Sequence, residues 1–168
     1  MLDRPEFQDA LRYVFEQKIP FCKALALQVR IVDGCAEVTF AKQDFMLGNT
    51  KLNVLHGGVT AAVLDSIAGV AILLKMAEQD PKPDVVSQMR EMGRLSTIDL
   101  RVDYLEPATA QSFVATATVT RLGKRIANVQ MALHDDQGKC VATAAAAFSV
   151  RSVRNRQGPD DLGLQSAG

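Results

Sequence analysis

The chain has 168 residues, of which 48% are hydrophobic and 23% charged, and its formal net charge is zero. These values predict one globular domain with an adequate core, and the lack of a basic run argues against nucleic acid as the main partner. The first residues show no positive segment followed by an apolar core, so we expect no secretory signal and a cytoplasmic protein. The three cysteines, Cys22, Cys35 and Cys140, are widely spaced and predict free thiols rather than disulfides or metal ligands.

The first half of the chain predicts a helix, a hairpin and a loop. Apolar residues recur at helical spacing in Pro5–Lys18, which predicts a short amphipathic helix. Two runs of strand-like residues follow, Leu25–Asp33 and Cys35–Ala41. The Asp33-Gly34 pair between them is a strong hairpin signal. Residues Lys42–Leu55 carry turn-forming side chains and predict a loop.

The second half of the chain predicts a surface crossing and then a run of strands. The charged, proline-containing stretch Ala77–Arg94 indicates an exposed crossing or a flap. Four strands are predicted after it: Thr97–Tyr104, Ser112–Arg121, Arg125–His134 and Cys140–Val150. The order of elements predicts an α+β fold, with a mostly antiparallel sheet around a long helix. Residues 1–153 form one predicted domain, and the polar composition of residues 154–168 predicts a flexible tail.

The long helix is predicted within Asn53–Lys75. From Val59 to Leu74 only four residues are not apolar, and one of them is Asp65. A helix that is apolar on nearly every side is expected to be buried on nearly every side. The apolar run is shorter than the roughly 20 residues that a bilayer requires and carries a carboxylate near its middle. We therefore expect a core helix and no membrane partner.

The start of this helix and its carboxylate together suggest acyl-transfer chemistry. If the helix begins near Gly58, Asp65 follows seven residues later and lies on nearly the same face. The Gly57 and Gly58 amides would then be unpaired N–H groups at the positive end of the helix, suited to an oxyanion. Taken singly, Asp65 is better explained as a structural cap and the glycines as a tight turn. Together they predict oxyanion donors with a base or nucleophile.

The spacing also predicts a dimer. Seven helical residues separate the glycine amides from Asp65 by roughly 10 Å along the axis, too far for one carbonyl group to touch both. A two-fold dimer with antiparallel helices would place the glycines of one protomer beside the partner's Asp65 and create two equal sites.

Three segments carry a resemblance to a known family. His56-Gly57-Gly58 followed by Asp65, the run Ser96–Ala108 and the hairpin Arg121-Leu122-Gly123-Lys124 resemble the hotdog-fold acyl-CoA thioesterases of the PaaI-type branch. The resemblance extends over residues 20–150. It implies a hotdog fold, an acyl-CoA substrate, no cofactor and a homo-oligomer, at least a dimer and expected to be a tetramer.

The resemblance also implies roles for individual residues. Gly57, with Gly58 beside it, would supply the oxyanion donor, and Asp65 would attack the thioester or activate water across the dimer interface. Thr97 would supply a hydroxyl near the start of the strand that follows the helix. His56 would orient the loop rather than transfer a proton.

An asparagine upstream of the histidine holds the thioester carbonyl in this family. Asn49 lies seven residues before His56 and Asn53 lies three before it, whereas Thr50 occupies the position six before, which some members use. The resemblance favours Asn49 and leaves Asn53 as the alternative.

The family binds the coenzyme A phosphates with basic loop residues. The candidates lie on the hairpin after the fourth predicted strand: Arg121, Gly123, Lys124 and Arg125. Arg90 and Arg94 are possible helpers. Ordinary solvation explains hairpin lysines and arginines equally well. The small residues of the long helix and the scarcity of aromatic residues favour a medium or long aliphatic acyl chain.

Two other functions fit the same fold. One is a non-catalytic acyl-CoA-binding or sensing module, but such a protein has no need of Asp65, and the segment before the first strand is too short for a DNA-binding domain. The other is a hotdog dehydratase or hydratase, which places a different acid/base pair on the helix and loop. The pattern of residues fits hydrolysis better than either alternative.

Overall fold

A six-stranded antiparallel sheet surrounds one long helix in a computed structural model of the chain, which describes residues 4–151. The strands lie in the order β1-β2-β6-β7-β8-β5, and β3 and β4 form a separate short ribbon. This is the predicted α+β arrangement. The predicted tail, residues 154–168, lies outside the described residues. The elements are α1 (Pro5–Tyr13), α2 (Pro20–Ala24), β1 (Gln28–Val32), β2 (Cys35–Ala41), β3 (Leu47–Asn49), β4 (Val54–Leu55), α3 (Gly57–Gln79), α4 (Val85–Met89), β5 (Ser96–Tyr104), β6 (Ser112–Leu122), β7 (Ile126–Asp135) and β8 (Cys140–Ser149).

The predicted hairpin between β1 and β2 is confirmed. Asp33 and Gly34 both have positive φ angles, 51° and 79°, as a two-residue turn that matches the strand twist requires. Val32 therefore pairs with Cys35, and the register continues to Gln28 opposite Thr39.

The N-terminal segment departs from its prediction. The α-helix ends at Tyr13 instead of reaching Lys18, and a single π-helical turn, Val14–Lys18, leads into α2, which the sequence pattern did not indicate. Pro20 begins α2, because a proline lacks the N–H that the first helical turn leaves unpaired and has a suitable fixed φ. This segment packs on α3, where the ring of Phe15 lies 3.6 Å from the place that a Cβ on Gly69 would occupy.

The segment predicted as a loop after β2 contains the β3–β4 ribbon, and one lysine ties it to a neighbouring segment. The Lys42 ammonium donates to the backbone carbonyls of Asn53, at 2.8 Å, and Thr109, at 2.6 Å. Partial desolvation lowers the pKa of Lys42, and the nearby Asp136 carboxylate opposes that effect. Lys42 therefore holds the loop that precedes α3 against the segment that follows β5.

Helix α3 is longer and less enclosed than predicted. It has 23 residues and a mean hydropathy of 1.9 over its most apolar stretch, so the argument that it is too short to cross a membrane is wrong. It nevertheless packs against the sheet as a core helix does. The prediction of burial on nearly every side is also wrong for one protomer, because a strip of small and polar residues is only half-buried: Ala61, Ala62, Asp65, Ser66 and Gly69. We call these five residues the α3 strip.

The stretch after α3 is not an open flap. Gln88 and Met89 of α4 are each 1% exposed. The Gln88 side-chain oxygen accepts from the backbone N–H of Lys82 at 2.8 Å and from the Arg4 guanidinium at 3.4 Å. The predicted surface crossing therefore includes a short helix, α4, whose buried side chains pack against the N-terminal helix.

Candidate active site

The amino end of α3 presents one free amide. His56 is the N-cap residue, and its Nδ1 accepts a hydrogen bond of 2.8 Å from the Gly58 N–H. No hydrogen-bond partner of the Gly57 N–H is found within residues 4–151. The two predicted oxyanion donors are therefore not equivalent: Gly58 is engaged by the cap, and Gly57 is available to a ligand at the positive end of the helix.

Close contacts restrict the side chains that fit at Gly57 and Gly48. A Cβ on Gly57 would lie 3.2 Å from the hydroxyl of Tyr104, and that hydroxyl donates to the Gly57 carbonyl at 2.8 Å. A Cβ on Gly48 would lie 2.9 Å from the Cα of His56, which real structures do not tolerate. Sequence reasoning did not identify Tyr104 as a site residue. Its signals in the sequence were its place at the end of a predicted strand and within the Ser96–Ala108 run that carries the family resemblance.

A cavity of about 460 Å³ opens beside the Gly57 amide. Asn49, Gly57 and Tyr104 line it, together with apolar side chains that include Leu55 and Leu105. The alternative asparagine, Asn53, and Thr50 are not among its lining residues.

The Asn49 side chain offers a second hydrogen-bond donor at the cavity that Gly57 also lines. Its side-chain oxygen accepts from the Leu52 N–H at 3.1 Å, which leaves the side-chain NH₂ as a donor. Asn49 therefore stands with Gly57 as a second group able to hold a carbonyl oxygen.

Asp65 belongs to a second group of polar side chains, which lies on the α3 strip. Thr97, near the start of β5, donates its hydroxyl to the Asp65 carboxylate at 2.8 Å. Asp65 is half-buried rather than enclosed in the core. On the next residue of the strip, the Ser66 hydroxyl lies 3.6 Å from the Cys22 thiol, whose pKa is raised mainly by burial. Two of the predicted site residues, Thr97 and Asp65, are thus hydrogen-bonded within one protomer.

A β-bulge sets the position of Thr97. The register of β5 against β8 shifts between Thr97 and Asp99, so Ile98 is the extra residue. The Asp99 carboxylate accepts from the Ala147 N–H at 2.9 Å. Strand periodicity alone did not reveal this bulge, because a simple alternating pattern carries no mark of the inserted residue.

Asp99→Ala is expected to destabilise the protein by about 1–3 kcal/mol, because it leaves the Ala147 amide without its partner. It should also lower kcat, since the bulge that holds Thr97 against Asp65 loosens. Urea unfolding and steady-state kinetics check both effects. Asp99→Asn retains a side-chain oxygen that can accept the bond and serves as the control. Equal activity in the alanine and native proteins would show that the bulge does not position Thr97.

The amide and the carboxylate are apart within one protomer. Gly57 and Asp65 are eight helical residues apart, or about 12 Å along the axis. Thr97 and Tyr104 lie at opposite ends of β5, about 23 Å apart along the strand. Neither Asp65 nor Thr97 lines the cavity beside Gly57. A single protomer therefore holds two half-sites.

The predicted coenzyme A hairpin lies at the Thr97 end of the sheet. Ser96 of β5 pairs with Ser149 of β8, and Ser149 pairs with Ile126 at the start of β7. Two strand spacings, about 10 Å, thus separate the start of β5 from the β6–β7 hairpin. The three basic residues of this hairpin are exposed: Arg121, Lys124 and Arg125. Gly123 closes the turn with a 2.9 Å bond to the Ile126 carbonyl.

The two helper candidates, Arg90 and Arg94, lie between α4 and β5 and not on this hairpin. Arg94 forms a 2.6 Å ion pair with Glu91, whereas Arg90 is exposed. No group of three or more histidine, cysteine, aspartate or glutamate residues that could hold a metal ion occurs within residues 4–151.

An antiparallel sheet around a long helix, with a glycine amide at the helix start and a carboxylate two turns later, is the arrangement of a hotdog-fold hydrolase. The sequence pattern of the thioesterase superfamily matches residues 52–142. The chain is 33% identical to the medium/long-chain acyl-CoA thioesterase YigI of Escherichia coli K12, over 85% of this chain and 95% of that protein. It is 27% identical to acyl-coenzyme A thioesterase 13 of Mus musculus, over 74% and 81% of the two chains.

A solved structure shows the same fold. The crystal structure of a Shewanella oneidensis protein related to the thioesterase superfamily superposes with a TM-score of 0.80, at 33% identity, over 86% of this chain and 95% of that one. The chain belongs to the thioesterase superfamily, and it is a thioester hydrolase of the hotdog fold that acts on acyl-CoA.

Proposed function

We propose that the protein hydrolyses medium- or long-chain acyl-CoA at two equal sites, each shared by two protomers. Gly57 and Asn49 of one protomer hold the thioester carbonyl oxygen, and the partner's Asp65, oriented by its Thr97, supplies the base or nucleophile. The observation that carries this proposal is that Gly57, whose N–H has no partner among the described residues, lines a cavity that neither Asp65 nor Thr97 reaches.

The free edge of the sheet supports a dimer of this form. β5 is the last strand in the sheet order and has no partner on its outer side among residues 4–151. Ile98 and Tyr104 are 56% and 57% exposed along it, and the α3 strip lies half-open nearby. Two copies of β5 paired antiparallel about a two-fold axis would bring the Thr97 end of one strand to the Tyr104 end of its partner. That pairing brings the two half-sites together.

The reaction follows from these groups. The Gly57 N–H and the Asn49 NH₂ polarise the thioester carbonyl and stabilise the oxyanion that forms when a nucleophile adds to it. In one route the Asp65 carboxylate takes a proton from water, and the hydroxide adds to the carbonyl carbon. The tetrahedral intermediate then collapses, the C–S bond breaks, and the coenzyme A sulfur leaves and takes up the proton from Asp65.

In the second route the carboxylate itself attacks. An Asp65 oxygen adds to the carbonyl carbon and expels the thiolate, which leaves a mixed anhydride that water then hydrolyses to the free acid. Both routes consume one water and release one acid and one thiol. If water attacks the Asp65 carbonyl of the anhydride, the acid released in the first turnover carries an Asp65 oxygen, whereas the first route places the water oxygen in the acid. A single turnover in ¹⁸O-water distinguishes these two outcomes.

The exposed hairpin supports a place for the coenzyme A phosphates. Arg121, Lys124 and Arg125 present three cations at the sheet end where Thr97 lies, and we assign the phosphates to the hairpin of the protomer that supplies Asp65. The acyl chain is assigned to the cavity beside Gly57, where apolar residues such as Leu55 and Leu105 line the wall. The name of the Escherichia coli relative favours medium and long acyl chains.

A panel of acyl-CoAs from acetyl to palmitoyl, with phenylacetyl- and hydroxybenzoyl-CoA, tests the proposal. Hydrolysis should be followed by loss of the thioester absorbance, because the exposed Cys35 thiol would react with a thiol reagent. We expect kcat/KM to rise with aliphatic chain length and to be lower for the aromatic esters. A preference for phenylacetyl-CoA would contradict the proposed substrate, and no release from any ester would contradict hydrolysis.

Membership of the PaaI-type branch, a tetrameric assembly and a cytoplasmic location stay predictions from the sequence.

A further inference from the structure

Tyr104 is an exposed tyrosine with an engaged hydroxyl. It is the last residue of β5 and its side chain is 57% exposed, so burial in the core does not explain its place. Its hydroxyl nevertheless donates a 2.8 Å hydrogen bond to the Gly57 carbonyl, across a separation of 47 residues. Tyr104 also lines the cavity beside the Gly57 amide. One side chain thus links the end of the edge strand, the helix start and the cavity wall.

The ring of Tyr104 covers the side of Gly57 on which a side chain would stand. The ring atoms Cε1 and Cζ lie 3.3 Å, and the hydroxyl 3.2 Å, from the position of a Cβ on that glycine. A glycine has more backbone freedom than any other residue, and at the first position of a helix few neighbours restrict it. The ring contact and the hydrogen bond together restrict Gly57 from one side.

The Tyr104 contacts affect the direction in which the Gly57 N–H points. The Gly57 N–H belongs to the peptide between His56 and Gly57, whose carbonyl oxygen accepts from the Val59 N–H at 2.9 Å and the Thr60 N–H at 3.3 Å, and nothing in the described chain binds the Gly57 N–H itself. An oxyanion donor is effective only when it is aimed before the charge forms. The Tyr104 hydroxyl holds the carbonyl of the peptide that follows Gly57, and the Tyr104 ring covers the Cβ side of that glycine, so both contacts restrict the backbone of the residue that carries the donor.

We propose that Tyr104 is a positioning residue for the Gly57 oxyanion donor. This inference rests on the proposed function, since it assigns Tyr104 to the same reaction. Tyr104 touches no reacting atom; it acts through the backbone of Gly57. Its removal should therefore slow the chemical step and leave substrate binding nearly unchanged.

Tyr104→Phe tests the inference, because it removes the hydroxyl and keeps the ring. We expect kcat to fall about fivefold, as the loss of one neutral hydrogen bond converts to rate, with KM changed by less than about twofold. The matched control is Tyr13→Phe, the same change at the chain's other tyrosine, whose ring lies 5.4 Å below the Lys18 ammonium on the N-terminal segment. The control should keep native kcat and KM.

A second readout does not depend on catalysis. With ¹⁵N-glycine labelling, the chain gives signals only from its 11 glycines, and Gly57→Ala identifies the Gly57 amide by its absence. Tyr104→Phe should shift this signal, because the hydrogen bond to the Gly57 carbonyl is lost, whereas Tyr13→Phe should leave it unchanged.

The outcomes separate the two claims. If the native protein hydrolyses acyl-CoA and Tyr104→Phe matches it in kcat and in the Gly57 amide signal, the positioning role is wrong and the proposed function stands. An equal loss of kcat in Tyr13→Phe would also overturn the role, because it would show a general effect of losing a tyrosine hydroxyl. If no acyl-CoA is hydrolysed, the proposed function fails, and the amide signal alone decides whether Tyr104 restrains Gly57.

Discussion

Asp65→Asn is expected to lower kcat for acyl-CoA hydrolysis by about 10³-fold, within the range that a general base contributes, and to leave KM nearly unchanged. The amide has the shape of the carboxylate but can neither take a proton from water nor attack a thioester. Its side-chain oxygen can still accept the hydrogen bond that Thr97 gives to Asp65, at 2.8 Å in the native chain. The half-site should therefore keep its structure and lose its chemistry. Steady-state kinetics with the best ester of the panel measure the effect.

Asp9→Asn is the matched control for this change. Asp9 is an exposed carboxylate on α1, paired with Arg12 at 2.8 Å, and exposed pairs of this kind contribute little to stability. The control should retain native kcat. Thermal unfolding of both variants should stay close to that of the native protein, because Asp65 is only half-buried. Near-native turnover by Asp65→Asn would remove this residue from the mechanism.

The parts of the fold that local chemistry determines were predicted from the sequence. The turn at Asp33-Gly34 follows from two residues that accept positive φ angles. The strand from Ser96 to Tyr104 follows from simple alternation along the chain. The placement of His56, Gly57 and Gly58 at the start of a helix likewise follows from a local pattern.

The features that the sequence missed depend on contacts between distant segments. The bulge at Ile98 exists because the Asp99 carboxylate reaches the backbone of Ala147, 48 residues away. The role of Tyr104 depends on its contact with Gly57, 47 residues away. No window of sequence contains either pair, so periodicity could not reveal them.

The exposure of Asp65 was misjudged for a related reason. Apolar composition around α3 predicted an enclosed carboxylate, but the sheet of one protomer covers only part of the helix and leaves the α3 strip half-open. The apolar composition of a helix indicates how much of its surface is buried in the final assembly, including any surface that a second copy covers. An apolar helix that stays half-open in one protomer is therefore itself an argument for the proposed dimer.

Gly57→Pro is expected to lower kcat by about 10²–10³-fold, since it deletes the N–H that would hold the oxyanion. Proline suits the first position of a helix, and the extended backbone of His56, at φ −64° and ψ 132°, suits the residue before a proline. Gly57→Ala is the matched control, because it adds the same Cβ near Tyr104 but keeps the N–H. The proline variant should be much less active than the alanine variant.

Combining this variant with Asp65→Asn tests whether the site is shared between protomers. In a mixed dimer of one Gly57→Pro chain and one Asp65→Asn chain, one site has both changes and the other has a native glycine and a native aspartate. If the two chains are co-expressed and pair at random, half of the dimers are mixed, so activity should recover to about one quarter of the native value.

Two differently tagged chains allow the mixed dimer to be purified alone, and it should then have about half of the native activity. The matched control co-expresses two Asp65→Asn chains with the two tags, which leaves no intact site in any pairing. If each site lay within one protomer, neither chain of the mixed dimer would carry a complete one, and the purified dimer would be as inactive as the control. Recovery therefore requires that the Gly57 amide and the Asp65 carboxylate of one site come from different chains.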